Sequence, residues 1–215
     1  MALVDRVETL LERPGRVVLG VAGSPGAGKS TVASSLLVAL GSRLGPDFVG
    51  HLPMDGFHLA DVQLDRLGLR DRKGAPETFD VDGYVAALRR LHDEPDRTLY
   101  VPGFERDLEQ PIAAAIDIPP SARLVVTEGN YLLLPSGGWE RVRPLCAEVW
   151  FVEVDDDVRR ERLARRHEQF GKQPAAARAW VERVDETNAA LVSSTRDAAD
   201  LVVDATASRG APSPT

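Results

Sequence analysis

The sequence has few of the features that mark secreted, membrane or metal-stapled proteins. Cys146 is the single cysteine among 215 residues, so neither an internal disulfide nor a multi-cysteine zinc site can form, and we expect a reducing compartment. No apolar run approaches the roughly 18 residues of a membrane span. The N-terminal stretch carries acids at Asp5, Glu8 and Glu12 in place of a secretory pattern. We therefore expect a cytoplasmic protein with no membrane partner.

Positive charge and aromatic rings are also scarce. The chain has 26 Lys and Arg against 33 Asp and Glu, a formal net charge of −7, and its aromatic content is 6%. A net acidic chain is poorly suited to general binding of nucleic acid, so we expect no nucleic-acid partner. The length fits one domain at roughly 150 residues per domain. A homodimer is compatible with the sequence.

What the sequence does contain is an alternation of β-branched runs with amphipathic stretches. This alternation is typical of a parallel sheet covered by helices, and several runs are apolar almost throughout, as in strands buried on both faces. The predicted strands are residues 16–23, 48–55, 98–101, 123–129, 148–155 and 200–204. The predicted helices are residues 3–12, 29–43, 81–92, 139–146, 157–170 and 174–196.

Three segments do not fit the alternation. Residues 56–80 and 102–120 are predicted as long loops, and loops of this length inside one domain are usually functional. Residues 205–215 are small, polar and proline-bearing, which predicts a disordered tail. Residues 1–204 are therefore expected to form a single domain.

A glycine-rich stretch that runs from Gly23 to Ser30 (GSPGAGKS) matches the pattern G-x-x-x-x-G-K-[ST] in full, between a predicted strand and a predicted helix. Its glycines let backbone N–H groups converge on phosphates at a helix N-terminus. Lys29 then reaches the β- and γ-phosphates, and the Ser30 hydroxyl ligates Mg²⁺. The motif predicts an α/β, three-layer P-loop NTPase fold that binds a nucleoside triphosphate. The predicted nucleotide-binding residues are Gly23, Ser24, Pro25, Gly26, Ala27, Gly28, Lys29, Ser30 and Thr31.

The motifs of GTPases and of transporter ATPases help to decide which class of P-loop protein this is. The chain contains neither the N-K-x-D that reads guanine nor the L-S-G-G-Q of transporter ATPases. Asp71 to Gly74 spells the D-x-x-G of a GTPase switch, but no apolar strand precedes it, so we treat the match as coincidence. These observations argue against a GTPase and a transporter.

Acidic residues end three predicted strands, at the sheet edge where ligands of parallel sheets bind. Glu128 follows the apolar run Leu-Val-Val-Thr, as a Mg²⁺-holding acid does, and is predicted as a metal ligand with Ser30. Asp55 stands at the entry to the long loop, where it can orient an acceptor hydroxyl and accept its proton. Asp155 leads into Asp156 and Asp157, so helix capping explains it better.

Five stretches together resemble the phosphoribulokinase, uridine kinase and pantothenate kinase superfamily. They are the P-loop, residues 53–58 (PMDGFH), 72–80 (RKGAPETFD), 128–132 (EGNYL) and 159–167 (RRERLARRH). The likeness covers roughly residues 16–204 and is nearest to a bacterial branch described as nucleoside or sugar kinase-like, which includes fructose-transport-associated kinases. Uridine kinases carry D-S-F-Y where this chain has Asp55-Gly-Phe-His58, so the identity of the substrate is not carried over.

The resemblance implies ATP as the phosphoryl donor, Asp55 as the general base and Glu128 as an acid that holds Mg²⁺. It also implies that the segment around residues 72–80 and the stretch 100–106 contact the acceptor. The substrate-binding residues expected on this basis are His58, Arg72, Lys73, Phe104 and Arg106.

Five arginines crowd the predicted helix 157–170, and Arg159, Arg162 and Arg166 share one face at helical spacing. Like charges packed this closely favour an anionic neighbour. We predict a helical lid over residues 157–173 in which Arg162 and Arg166 neutralise the transferring phosphoryl group. The three tryptophans, Trp139, Trp150 and Trp180, are predicted as packing residues.

Together these features predict a kinase that transfers the γ-phosphoryl group of ATP, with Mg²⁺, to a hydroxyl of a small metabolite. Nucleosides, pantothenate and sugars are the candidate acceptors, and the scarcity of aromatic residues near the loops slightly favours a sugar-like one. The alternative is a P-loop ATPase with a regulatory role and no small-molecule acceptor. A nucleic-acid-associated ATPase is disfavoured by the net charge.

Overall fold

A computed structural model describes residues 3–206 of the chain. Its central sheet has five strands: β1 (Val17–Ala22), β2 (Val49–Pro53), β5 (Leu124–Glu128), β6 (Glu148–Glu153) and β7 (Leu201–Asp204). Their order in the sheet is β2-β5-β1-β6-β7, and every neighbouring pair is parallel. β1 and β5 are buried along their whole length, as strands covered on both faces must be.

Helices cover both faces of the sheet. They are α1 (Leu3–Leu11), α2 (Lys29–Leu44), α3 (Asp61–Leu67), α4 (Val81–Asp93), α5 (Asp156–Gln169), α6 (Pro174–Trp180) and α7 (Glu186–Ser193). One core joins α1 and α2 to the sheet through residues such as Leu10 and Leu36, and the other joins α4 through Tyr84 and Leu88. This arrangement confirms the predicted three-layer α/β P-loop fold with a parallel sheet.

The segment 102–120, predicted as a loop, is a β-hairpin. β3 (Leu99–Glu105) and β4 (Gln110–Ile118) pair antiparallel in a separate two-stranded sheet. Leu99, Val101 and Ile118 are buried against the main core, which is the reason that the strands form. The loop prediction was therefore wrong for this segment.

Two predicted helices also differ from the structure. The stretch 139–146 forms two short 3₁₀ turns, because Pro144 lacks an N–H and cannot continue a helix. The stretch 174–196 is interrupted by a π-helical turn, Val181–Asp185, and α7 ends at Ser193. Asp155 caps α5 by accepting from the N–H groups of Asp157 and Val158, as its capping interpretation predicts.

Two further predictions concern membrane-spanning helices and the C-terminal tail. Within residues 3–206, no helix has both the length and the apolar character needed to cross a membrane. The predicted disordered tail, residues 205–215, lies outside the described residues except for Ala205 and Thr206.

Candidate active site

The P-loop connects the end of β1 to the start of α2. Gly26 has a φ of +80°, and a Cβ atom there would lie 2.8 Å from Leu163 Cγ and 2.9 Å from the Arg159 carbonyl, so α5 packs directly on the loop. Gly28 caps α2 without a side chain, which leaves the first N–H groups of the helix without a side-chain partner. Such a helix start binds phosphate well.

Lys29 is buried at the first position of α2. Its Nζ donates to the Ser24 carbonyl at 3.1 Å. Burial lowers the pKa of Lys29 to about 8, opposed by the charges of Glu128 and Asp55. The ammonium group therefore stays charged at neutral pH and lies close to both carboxylates.

Two carboxylates come from adjacent strands. Pro53 in β2 pairs with Glu128 in β5, so Asp55, two residues beyond Pro53, lies near Glu128 at the carboxyl edge of the sheet. Burial raises the pKa of Glu128 to about 7, and the charge of Asp55 adds to this shift. Burial also disfavours the charged form of Asp55, but its interaction with His58 and the positive charges of Arg106, Lys29 and Arg166 outweigh that effect and lower its pKa.

A cleft of about 600 Å³ opens between the P-loop, the ends of β2 and β5, the hairpin and α5 to α7, which is a normal size for a small-molecule site. Of the residues predicted from the sequence, the structure brings eleven into its wall: Pro25, Gly26, Lys29, Ser30, Asp55, His58, Lys73, Phe104, Arg106, Glu128 and Arg166. Arg72 is placed elsewhere, because its guanidinium pairs with Glu77 on the surface.

One side of the cleft is built around Phe104 in β3. His58 stacks on Phe79 with ring centroids 4.0 Å apart and tilts against Phe104 at 5.1 Å. Burial lowers the pKa of His58 to about 4, although the charge of Asp55 raises it, so the imidazole is neutral at physiological pH. Its Nδ1 is buried and has no hydrogen-bond partner within residues 3–206.

Two ion pairs flank the same ring. Arg106 Nη2 lies 3.3 Å from Asp55 Oδ2, and Lys73 Nζ lies 2.7 Å from Asp61 Oδ1. The two cations stand 5.6 and 5.7 Å from the centroid of Phe104. The hairpin is held close to Asp55, because a Cβ atom on Gly56 would lie 2.2 Å from the Pro102 carbonyl oxygen.

The arginines of α5 fall into two groups. Three form ion pairs: Arg159 with Asp156 and Glu186, Arg160 with Asp157 and Glu186, and Arg165 with Glu161. Arg162 and Arg166 form no ion pair with the residues that the structure describes. Arg162 Nη1 lies 3.6 Å from the Cβ position of Gly28, and Arg166 lines the cleft, where its charge lowers the pKa of Lys29 and of Asp55.

Many residues that line the outer wall of the cleft were not identified as site residues from the sequence. They are Asp61, Arg70, Asp71, Gly74, Phe79, Glu109, Asn130, His167, Phe170, Lys172, Trp180, Asp185 and Asn188. Trp180 was predicted as a packing residue, but it lines the cleft with Lys172 Nζ 4.8 Å from its ring centroid. Signals existed for Asn130 in the EGNYL stretch, for Gly74 and Phe79 in residues 72–80, and for His167 in residues 159–167. No motif marks Lys172, Asp185 or Asn188.

The residues at the sheet edge fit a magnesium ion held largely by substrate phosphates. Within the described part of the chain, no group of three or more His, Cys, Asp or Glu residues could cage a metal. Glu128 is instead a single buried carboxylate, hydrogen-bonded to Ser30 and repelled by Asp55. Mg²⁺ is commonly bound by one or two carboxylates together with phosphate oxygens, and a cation there would relieve the repulsion.

Comparison with known proteins agrees with this architecture. A Schizosaccharomyces pombe protein provisionally named a uridine kinase is 37% identical over 169 residues, which cover 77% of this chain and 72% of the relative. A crystal structure from a Silicibacter species, provisionally described as a fructose transport system kinase, matches with a TM-score of 0.84 and 34% identity, and covers 94% of this chain and 99% of its own.

A more distant structure shares the fold. YFH7 from Saccharomyces cerevisiae, provisionally described as a P-loop kinase with a circular permutation, has a TM-score of 0.77 at 19% identity and covers 95% of this chain and 96% of its own. The model of the phosphoribulokinase / uridine kinase family matches residues 18–210. The chain therefore belongs to the phosphoribulokinase / uridine kinase family and is a P-loop kinase.

Proposed function

We propose that this kinase transfers the γ-phosphoryl group of ATP to a hydroxyl group of a small metabolite, with Mg²⁺. The observation that carries the proposal is the position of Asp55. Its carboxylate lines the same cleft as Lys29 and Arg166, and the charges of both act on it. An ATPase without an acceptor has no need for the aromatic and charged wall on the far side of Asp55.

In the proposed reaction, the P-loop N–H groups and Lys29 hold the β- and γ-phosphates. Asp55 accepts a hydrogen bond from the acceptor hydroxyl, whose oxygen attacks the γ-phosphorus. The bond from that phosphorus to the β,γ-bridging oxygen breaks, ADP leaves, and the hydroxyl proton passes to Asp55. The transition state of phosphoryl transfer is loose, so an ionised Asp55 of low pKa serves mainly to orient the hydroxyl.

The remaining charges stabilise the phosphoryl group during its transfer. Arg166, and Arg162 beside the P-loop, carry positive charge toward the phosphates without a carboxylate partner in the described residues. Ser30 and Glu128 would hold Mg²⁺, which supplies charge neutralisation on the phosphate oxygens when bound. We place all of these groups in one domain over residues 1–204, with α5 and the residues to 173 as its lid.

For the acceptor we favour a polyhydroxylated, uncharged group such as a sugar. Each cation beside Phe104 is matched by a carboxylate, Arg106 by Asp55 and Lys73 by Asp61, so no excess positive charge favours an anionic acceptor. Paired donors and acceptors around one aromatic ring suit hydroxyl groups, which both donate and accept. The names of the relatives point to a nucleoside or a sugar, both of which present such hydroxyls.

The proposal is tested by incubating the protein with ATP, Mg²⁺ and a panel of sugars, polyols, nucleosides and pantothenate, and by reading products by mass spectrometry. We expect one class to gain a phosphoryl group. Asp55→Asn should abolish this product and retain ATP binding, while Asp65→Asn, an exposed acid outside the cleft, should leave it unchanged. ATP hydrolysis that no acceptor stimulates would support the regulatory ATPase instead.

A further inference from the structure

One short segment, the π turn Val181–Asp185 with α7, contacts three parts of the cleft wall: α5, the P-loop and the segment 72–80. Glu186 pairs with Arg159 and Arg160 in the first turns of α5, and Asp185 contacts His167 in its last turn. Ser193 Oγ lies 3.2 Å from Ser24 Oγ of the P-loop, so the same segment is also tied to the phosphate site.

The contact between Asp185 and His167 is well shielded from solvent. Asp185 Oδ2 lies 2.8 Å from His167 Nε2, and the two side chains are 10% and 16% exposed. Both residues line the cleft, and Trp180 packs edge-on against His167 with ring centroids 6.3 Å apart. A buried contact of this kind restricts its partners much more than a surface ion pair does.

The restraint that Asp185 places on His167 matters because His167 directly follows Arg166 in α5. Consecutive residues of an α-helix point about 100° apart, so the direction of His167 sets the direction of Arg166. His167 lies roughly 12 Å along the helix axis from Arg159. Asp185 and Glu186 therefore hold α5 at both ends and fix its rotation about its own axis.

The two adjacent carboxylates that reach α5 lie where the π turn ends and α7 begins. Asp185 is the last residue of the π turn and Glu186 is the first residue of α7. Further along, Asn188 Nδ2 donates to the Gly74 carbonyl in the segment 72–80 at 3.4 Å. Such π turns are uncommon and often lie at functional sites.

We propose that Asp185 is a positioning residue for phosphoryl transfer, which holds His167 so that Arg166 on the same helix faces the transferring group. This role rests on the function proposed above. In this role Asp185 acts through His167 and not by contact with the phosphates or the acceptor. Its contribution is to keep Arg166 in the direction that places its charge beside Lys29 and Asp55.

The test is a double-mutant cycle on acceptor-dependent turnover. Asp185→Ala should lower kcat by about 10- to 100-fold and leave the KM for ATP within about twofold, because misplacement of a transition-state group affects rate more than ground-state binding. Asp185→Asn should recover most of the rate, since an amide oxygen can still accept from His167. In an Arg166→Ala background, Asp185→Ala should lower kcat by a further factor of less than about two.

Glu182→Ala is the matched control, because Glu182 is an exposed acid of the same π turn. It should not change kcat. The proposal would be overturned if the fold losses in kcat from Asp185→Ala and Arg166→Ala multiplied in full in the double variant. A kcat for Asp185→Ala equal to that of the wild type would also overturn it.

Hydrogen exchange of the α5 amides with bound ATP and Mg²⁺ separates this proposal from the proposed function. Asp185→Ala should speed exchange near Arg166 and His167, and Glu182→Ala should not. Absence of any acceptor-dependent product in the wild type would refute the proposed function alone. Unchanged α5 exchange in Asp185→Ala would refute the role of Asp185, whatever the reaction.

Discussion

Replacing His58 with glutamine should change how the stability of the protein depends on pH. Burial lowers the pKa of His58 from 6.5 to about 4 in the folded protein. Between these two pH values the unfolded chain binds a proton that the folded protein does not, so the free energy of unfolding falls as the pH falls through this window. At roughly 1.4 kcal/mol per pKa unit, the full window is worth about 3.5 kcal/mol.

Urea unfolding at about pH 7.5 and about pH 4.5, followed by the fluorescence of the buried Trp139 and Trp150, measures this effect. Wild type should lose about 2.5 kcal/mol more than His58→Gln between the two conditions, because pH 4.5 covers most but not all of the window. His92→Gln, at an exposed position near the end of α4, should follow the wild type. The same pH dependence for wild type and His58→Gln would show that the cleft does not hold this imidazole neutral.

Three further substitutions test other parts of the site. Lys29→Ala should weaken ATP binding, measured by calorimetry, and also slow transfer, since its charge acts on the phosphates in both states; a loss confined to kcat would contradict this. Glu128→Gln should raise the Mg²⁺ concentration needed for half-maximal activity by about tenfold or more, and an unchanged magnesium titration would remove Glu128 from the metal site. Gly26→Ala should lower both ATP affinity and thermal stability, because the new Cβ would lie 2.8 Å from Leu163 Cγ; a variant that matches wild type in both would show that α5 does not pack on the P-loop.

The sheet and the phosphate site were predictable because both depend on local patterns. The strands β1 and β5 are continuous apolar runs, and the P-loop motif specifies its own backbone through glycine positions. The nearness of Asp55 and Glu128 also followed, since the carboxyl ends of parallel strands meet at one edge. None of these inferences needed the positions of distant residues.

The hairpin was missed because its pattern is weak. Alternation does exist over Leu99, Val101 and Gly103 and over Ile116 and Ile118, but proline and small residues interrupt it. Burial against the main core and pairing with each other stabilise the two strands, and neither contact is visible in the local sequence. Phe104 and Arg106 could therefore be named as substrate residues without the element that carries them.

The outer wall of the cleft depends on long-range packing in the same way. Asp185 lies next to His167 only because α5 packs against the segment that follows Trp180, with a π turn that no sequence rule predicts. The sequence pattern selected Arg162 and Arg166 from the five arginines in α5. In the structure the other three have carboxylate partners, and the catalytic role of the two stays a prediction.

The central claim is that Asp55 directs phosphoryl transfer from ATP to a hydroxyl in this cleft. The most direct measurement compares wild type, Asp55→Asn and Asp65→Asn for phosphorylated product from the best acceptor of the panel, at saturating ATP and Mg²⁺. We predict that Asp55→Asn loses about 10²- to 10⁴-fold in turnover with ATP affinity unchanged, while Asp65→Asn equals wild type. Turnover of Asp55→Asn close to that of wild type would contradict the account.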